Sequence, residues 1–182
     1  TPAYEEPSGT AMHYLLWGKT GELAGVTTIQ DSIEKWKRNP SIVHDAAEIA
    51  AWRRESPSIP IYDIKLPFPS RLKLHAAYGS SEIKSALGLA TLQRSGPTGT
   101  GVIHSNELKT YIHLVTFRKD ERDFSPTTRY KDYPISRSLL HWESQSRITR
   151  DSPTGLNYQN FLDRGYTILF FARVDKRVDG ET

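Results

Sequence analysis

The sequence predicts an α+β chain in which N-terminal helices precede a mostly β half that carries short helices. Three observations point there. Early segments space apolar residues at helical intervals beside cap residues. Later segments such as "LKTYIHLVTFRK" and "YTILFFARV" have strand character. Between them runs the proline-punctuated "SPSIPIYDIKLPFPS".

"GTAMHYLLWGKTGEL" is moderately apolar and reads as one to three helical turns. "TIQDSIEKWKRN" offers Thr28 as a cap, with acids early and bases late, as the helix dipole favours. "SIVHDAAEIAAWRRE" places Val43, Ala46, Ala47 and Ala50 at helical spacing, and Pro57 and Pro60 end it. In "AYGSSEIKSALG", Gly79 or Ser80 caps a short helix that Gly88 stops. "LQRSGPTGTG" reads as a flexible loop. "GVIHSNEL" and "LKTYIHLVTFRK" read as a hairpin across Asn106-Glu107. The second strand has apolar residues on both faces, which suits a central strand. In "SPTGLNYQNFLDRG", Ser152 caps a helix, Pro153 suits its first position and Gly165 suits the exit into "YTILFFARV". The main boundary is placed near residue 70. Residues 1–70 are then a helical connector or appendage, and residues 71–182 the principal domain.

The 182 residues suffice for one domain, or for one domain with an appendage, and 37% apolar content allows a core. No apolar run reaches the roughly 18 residues of a membrane span, and "TPAYEEPSGT" has no secretion-signal pattern. With no cysteine there are no disulfides or thiolate metal sites, which suits a cytoplasmic protein. The charge is unevenly spread. Residues 1–70 hold 7 Lys/Arg against 9 Asp/Glu, while residues 71–182 hold 17 against 12, and 11 of those 17 are arginines. A basic, arginine-rich half is the expected footprint of a nucleic-acid surface.

Catalytic motifs are weak. "GPTGTG" lacks the Lys-Ser/Thr that a phosphate loop needs, since Val102 and Ile103 follow it. The six histidines show neither i,i+4 pairing nor an HExxH pattern. His141 and Asp132 have no nucleophile elbow to serve. No cofactor and no metal are expected, and the chain reads as non-catalytic.

The dense stretch is "YKDYPISRSLLHWESQSRITRDSPTG". Tyr130, Tyr133 and Trp142 supply flat rings with polar tips. Asp132, Ser136, Ser144 and Gln145 supply donors and acceptors suited to a base edge. Arg129, Lys131, Arg137, Arg147 and Arg150 interleave with them. That combination meets the needs of a pocket for an unstacked base. Residue chemistry equally allows a tyrosine corner and a core tryptophan under solvated arginines, and Trp142 fits core support better than direct stacking.

"KDERDFSPTTRYKDYPISRSLLHWESQS", "DSPTGLNY" and "ILFFAR" resemble a bacterial domain of unknown function. That domain lies at the C-terminus of multidomain helicases, behind a phospholipase-D-like nuclease and a helicase motor. The matched positions are Phe124, Ser125, Pro126, Tyr130, Asp132, Tyr133, Ile135, Ser136, His141, Trp142, Ser144, Gln145, Ser152 to Gly155, and Arg173. The resemblance covers about residues 72–174. Glu143 stands where the family usually has glutamine, and Leu140 where it has phenylalanine. Family members continue with further strands past the point where this sequence ends, so a truncated or compact form is expected. No motor or nuclease motif occurs in these residues.

The resemblance implies a curved, mostly antiparallel β fold of the SRA or PUA-like kind. It also implies the specificity part of a bacterial modification-dependent (type IV) restriction system acting in phage defence. Such a domain reads 5-methylcytosine or 5-hydroxymethylcytosine in double-stranded DNA by base flipping. The expected base pocket is Tyr130, Asp132, Tyr133, Ser136, Trp142, Ser144 and Gln145, with Asp132 accepting from an exocyclic amine. The expected backbone contacts are Arg129, Lys131, Arg147, Arg150 and Arg173. Partners would be modified DNA and helicase and nuclease domains of the same polypeptide, with no membrane. The other class kept open is a non-catalytic interaction or motor-regulating module in which the aromatics are core.

Overall fold

Helix caps and apolar periodicity set the local elements of the N-terminal half. A computed structural model describes residues 6–55, 62–98, 101–119 and 130–175, in two compact units, Thr1–Pro97 and Thr98–Thr182. The first unit holds helices α1 (Glu6–Trp17), α2 (Gly21–Ala24), α3 (Ile29–Lys37) and α4 (Pro40–Glu55). The two-residue strands β1 (Tyr62–Asp63) and β2 (Lys73–Leu74) follow, then helix α5 (Ser80–Ala86). At the start of α3, Thr28 Oγ1 accepts from the Asp31 amide while the Asp31 carboxylate accepts from the Thr28 amide, a reciprocal capping box. At α5 the Glu82 carboxylate accepts from the Gly79 amide.

The core of this unit gathers Ala24, Val26 and Leu92, with Trp17 and Ile29 packed against them. Leu92 belongs to the segment expected as a flexible loop. That segment instead opens with a closed turn, Thr91 and Arg94 exchanging backbone hydrogen bonds, and the Leu92 carbonyl accepts from the Gly21 amide at 2.7 Å. Leu92 itself is buried at this turn. Beside it lies a polar cluster: Ser32 Oγ accepts from the Trp17 indole and lies 2.7 Å from His13 Nδ1, and His13 Nε2 lies 2.8 Å from the Lys19 carbonyl. Burial lowers the His13 pKa below its ordinary value. The neutral imidazole with its proton on Nε2 satisfies every one of these contacts. Helix α4 is mostly exposed, including Ile42, Ile49 and Trp52.

The second unit is built on β3 (Val102–Ser105), β4 (Thr110–Arg118), β5 (Tyr133–Pro134), β6 (Leu140–His141), helix α6 (Pro153–Gln159) and β7 (Thr167–Asp175). β3 and β4 form an antiparallel hairpin, with Ile103 opposite Ile112. β4 is central and buried along most of its length, as apolar residues on both its faces require. Its other neighbour, β7, runs parallel to it, with His113 opposite Phe170 and Thr116 opposite Arg173. Among the described residues three of the four strand ladders are antiparallel, but the longest is parallel. A parallel pair needs a crossover, and here residues 119–166 supply it. That crossover carries the β5–β6 hairpin, α6 and most of the side chains singled out in the sequence. Among the described residues the strands make three separate sheets and no barrel. No described helix is long and apolar enough to cross a membrane.

The "SPTG" motif has a local cause. Ser152 Oγ accepts from the Gly155 amide at 3.1 Å and donates to the Thr149 carbonyl at 2.7 Å, while Pro153 opens α6. Gly155 is buried against the backbone. A Cβ there would sit 2.1 Å from the Thr149 carbonyl oxygen and 2.9 Å from that of Arg150. Neither backbone atom can swing aside as a side chain would. Gly155→Ala is therefore expected to cost about 1–3 kcal/mol of stability, the range for overpacking. A thermal melt checks it, and an unchanged midpoint would refute the close packing.

Candidate functional site

The crossover folds back over one end of the β3–β4 hairpin and leaves a cavity of about 670 Å³. Gly101, Val102, Leu114 and Thr116 form the sheet side. Lys119, Tyr130, Asp132, Trp142, Glu143, Gln145, Ser146 and Arg147 form the rest. The volume lies within the roughly 300–1,000 Å³ of small-molecule pockets, and the lining mixes apolar surface with a few polar groups.

A buried ion pair organises the wall. Lys119 Nζ donates to Asp132 Oδ2 at 2.5 Å and to the Tyr130 carbonyl at 2.7 Å. The two side chains are only 8% and 4% exposed. The other Asp132 oxygen, Oδ1, accepts from the Glu143 amide at 2.9 Å. The Lys119 ammonium also lies 5.5 Å from the centre of the Tyr130 ring, within cation–π range. Tyr130 is further held by its hydroxyl, which accepts from the Ser146 amide. One lysine and one aspartate thus tie the end of β4 to residues 130 and 143.

Behind Trp142 lies an aromatic cluster. The His113 ring is 1% exposed and sits 4.3 Å from Trp142, 4.8 Å from Phe170 and 5.5 Å from Tyr158, centre to centre. Among the described residues neither of its ring nitrogens has a hydrogen-bond partner. Burial pushes its pKa down to about 4, against a smaller upward pull from the Asp132 charge. His113 is therefore a neutral, apolar-packed ring at neutral pH. Tyr158 donates to Gln145 Oε1 at 3.3 Å, which leaves the Gln145 amide nitrogen as the unused end. Burial raises the Tyr158 pKa, partly offset by that bond.

Of the residues singled out in the sequence, Tyr130, Asp132, Trp142, Gln145 and Arg147 meet at the cavity. Trp142 lines it and also packs on the aromatic cluster, the core support expected of it. Tyr133, Ser136 and Ser144 are not on its wall. Tyr133 is 49% exposed and stacks on His141, its cross-strand partner. Ser136 Oγ accepts from the Ser138 amide in the hairpin turn, and Ser144 Oγ donates to the Ile148 carbonyl. Among the expected backbone contacts, Arg173 Nε donates to Thr116, and Arg150 pairs with Gln159 while bracing α6. Lys131 is exposed, with its carbonyl 2.9 Å from His141 Nδ1. Arg129, like Phe124, Ser125 and Pro126, lies outside the described residues. Sequence reasoning missed Lys119, which looked like the basic end of a strand. It noted Glu143 only as a departure from a pattern. His113 was read as a residue of the strand "LKTYIHLVTFRK" and, with the other five histidines, weighed as a metal ligand.

A mixed α+β chain with a lined cavity in its second unit is the class that fold and site define. Residues 72–182 match the family described as "Domain of unknown function (DUF3427)", and the chain belongs to that family. No curated protein and no solved structure shows a significant match to it.

Proposed function

We propose that this chain is a DNA-binding module that reads a modified base, 5-methylcytosine or 5-hydroxymethylcytosine, flipped from a duplex into the 670 Å³ cavity. In this reading it is the non-catalytic specificity part of a restriction system whose motor and nuclease are separate domains. The observation that supports it best is the meeting of Tyr130, Trp142, Glu143, Gln145 and Arg147 around one cavity. Rings, hydrogen-bonding groups and a cation are what an extruded nucleotide needs. The excess of arginine in residues 71–182 supports phosphate contact.

A 5-methyl group adds about 1 kcal/mol of apolar burial, roughly fivefold in affinity. The test is titration of the chain with matched duplexes carrying cytosine, 5-methylcytosine or 5-hydroxymethylcytosine at two salt concentrations. The expected result is a preference of about fivefold for one modified duplex that survives the higher salt, while overall affinity falls. Equal, salt-sensitive binding to all three would reduce the function to a basic surface. No binding to any would favour the interaction module.

A further inference from the structure

We propose that Glu143, rather than Asp132, reads the base, and that it restricts the cavity to bases bearing an exocyclic amine beside a ring-nitrogen acceptor. This rests on the base-reading function proposed above.

Several polar groups on the wall are already engaged within it. Both Asp132 oxygens have partners, the Lys119 ammonium and the Glu143 amide, so this carboxylate is engaged within the wall. The Tyr130 hydroxyl accepts from the Ser146 amide and Thr116 Oγ1 accepts from Arg173 Nε, so each has its own O–H, a donor, left to offer. Glu143 lines the same cavity, and among the described residues its carboxylate has no hydrogen-bond or ionic partner. Its backbone is pinned by Asp132, so the free acceptor sits on a fixed anchor. Gln145 follows two residues on. Its oxygen is taken by Tyr158, which leaves the amide N–H groups as donors.

The wall therefore offers an acceptor that cannot donate and a neighbouring donor. A cytosine-type edge presents the complement: an amine that donates and a ring nitrogen that accepts. A thymine-type edge presents a carbonyl and a ring N–H, which sets acceptor against acceptor and donor against donor. Polar groups left unpaired in a closed pocket reject more strongly than missing apolar contact does. Asp132 and Lys119 are then positioning residues, acting on the ligand through Glu143.

The experiment compares two duplexes identical but for one position opposite guanine, holding 5-methylcytosine or thymine. The two bases share the methyl group and differ at the edge in question. The wild-type chain and Glu143→Gln are titrated with both, and 5-methylcytosine is also compared with cytosine. Because the variant meets the same duplexes, the easier extrusion of a mismatched base cancels in the change of preference. Glutamine keeps the shape but adds an N–H that can donate to a carbonyl. The wild type is expected to prefer 5-methylcytosine to thymine by about tenfold or more, the size of one good base-edge pair. Glu143→Gln is expected to bring that ratio below about threefold with its thermal midpoint unchanged. A wild-type preference that persists in both Glu143→Gln and Glu143→Ala would overturn the assignment and leave base reading standing. A wild type that does not distinguish 5-methylcytosine from cytosine or from thymine would overturn both.

Discussion

Lys119→Met is expected to destabilise the second unit by about 3–5 kcal/mol, the cost of leaving one partner of a buried ion pair behind. Asp132 is almost wholly enclosed, and loss of the ammonium leaves its Oδ2 with no cationic partner among the described residues. Methionine keeps the length and apolar stem of lysine, so the loss reports charge rather than volume. The double variant Lys119→Met/Asp132→Asn removes both charges and should recover a large part of the stability, because a neutral amide is far cheaper to bury than an unpaired carboxylate. Urea midpoints of the wild type, both single variants and the double variant form the cycle. A single variant within about 0.5 kcal/mol of wild type would show that the pair does not hold the wall. In the base-reading function, Lys119→Met should also erode the modified-base preference, since Glu143 loses its anchor.

The second large effect is a pH dependence centred on His113. Its folded pKa is about 4 against an ordinary 6.5. Above pH 6.5 the ring is neutral in folded and unfolded chains alike and contributes no pH dependence. As pH falls from 6.5 to about 4, the unfolded chain takes up a proton that the folded chain refuses. Stability then drops, by about 3 kcal/mol across the window, and this group adds nothing further below it. The ring faces Trp142, Tyr158 and Phe170, with Asp132 as the one charge that pulls the other way. His113→Phe should flatten the profile in that window. His13 and His104, whose pKa values burial also lowers, contribute to both proteins and cancel in the difference. Urea unfolding followed by tryptophan fluorescence between pH 7.5 and 4 measures it. Parallel profiles for the two proteins would mean that His113 is not the group that titrates.

These two predictions concern residues of very different legibility. Asp132 stands in a conspicuous stretch of rings and hydroxyls, and the sequence suggested it as a base reader. Its real partners are 13 and 11 positions away in the chain. Lys119 carried no signal of its own, because nothing in "FRKDE" says which way an ammonium turns. His113 sat in plain view within a strand that is apolar on both faces. What makes it unusual is that Trp142 and Phe170 close over it from distant segments.

By itself the sequence determined what depends on near neighbours. The Thr28–Asp31 capping box, the Gly79–Glu82 bond and the Ser152–Pro153 opening of α6 each span at most three residues. Apolar residues on both faces made β4 a central strand. A dense run of rings and cations between residues 130 and 147 marked the neighbourhood of the cavity. Tertiary structure alone decided that β7 pairs parallel to β4, that Tyr133 stacks outward on His141, and that Asp132 is engaged while the Glu143 carboxylate has no partner among the described residues. The physical reason is range. Caps and periodicity are satisfied within one or two turns of chain, whereas the pairing of a buried charge or the facing of a ring is set by whichever distant segment folding brings against it.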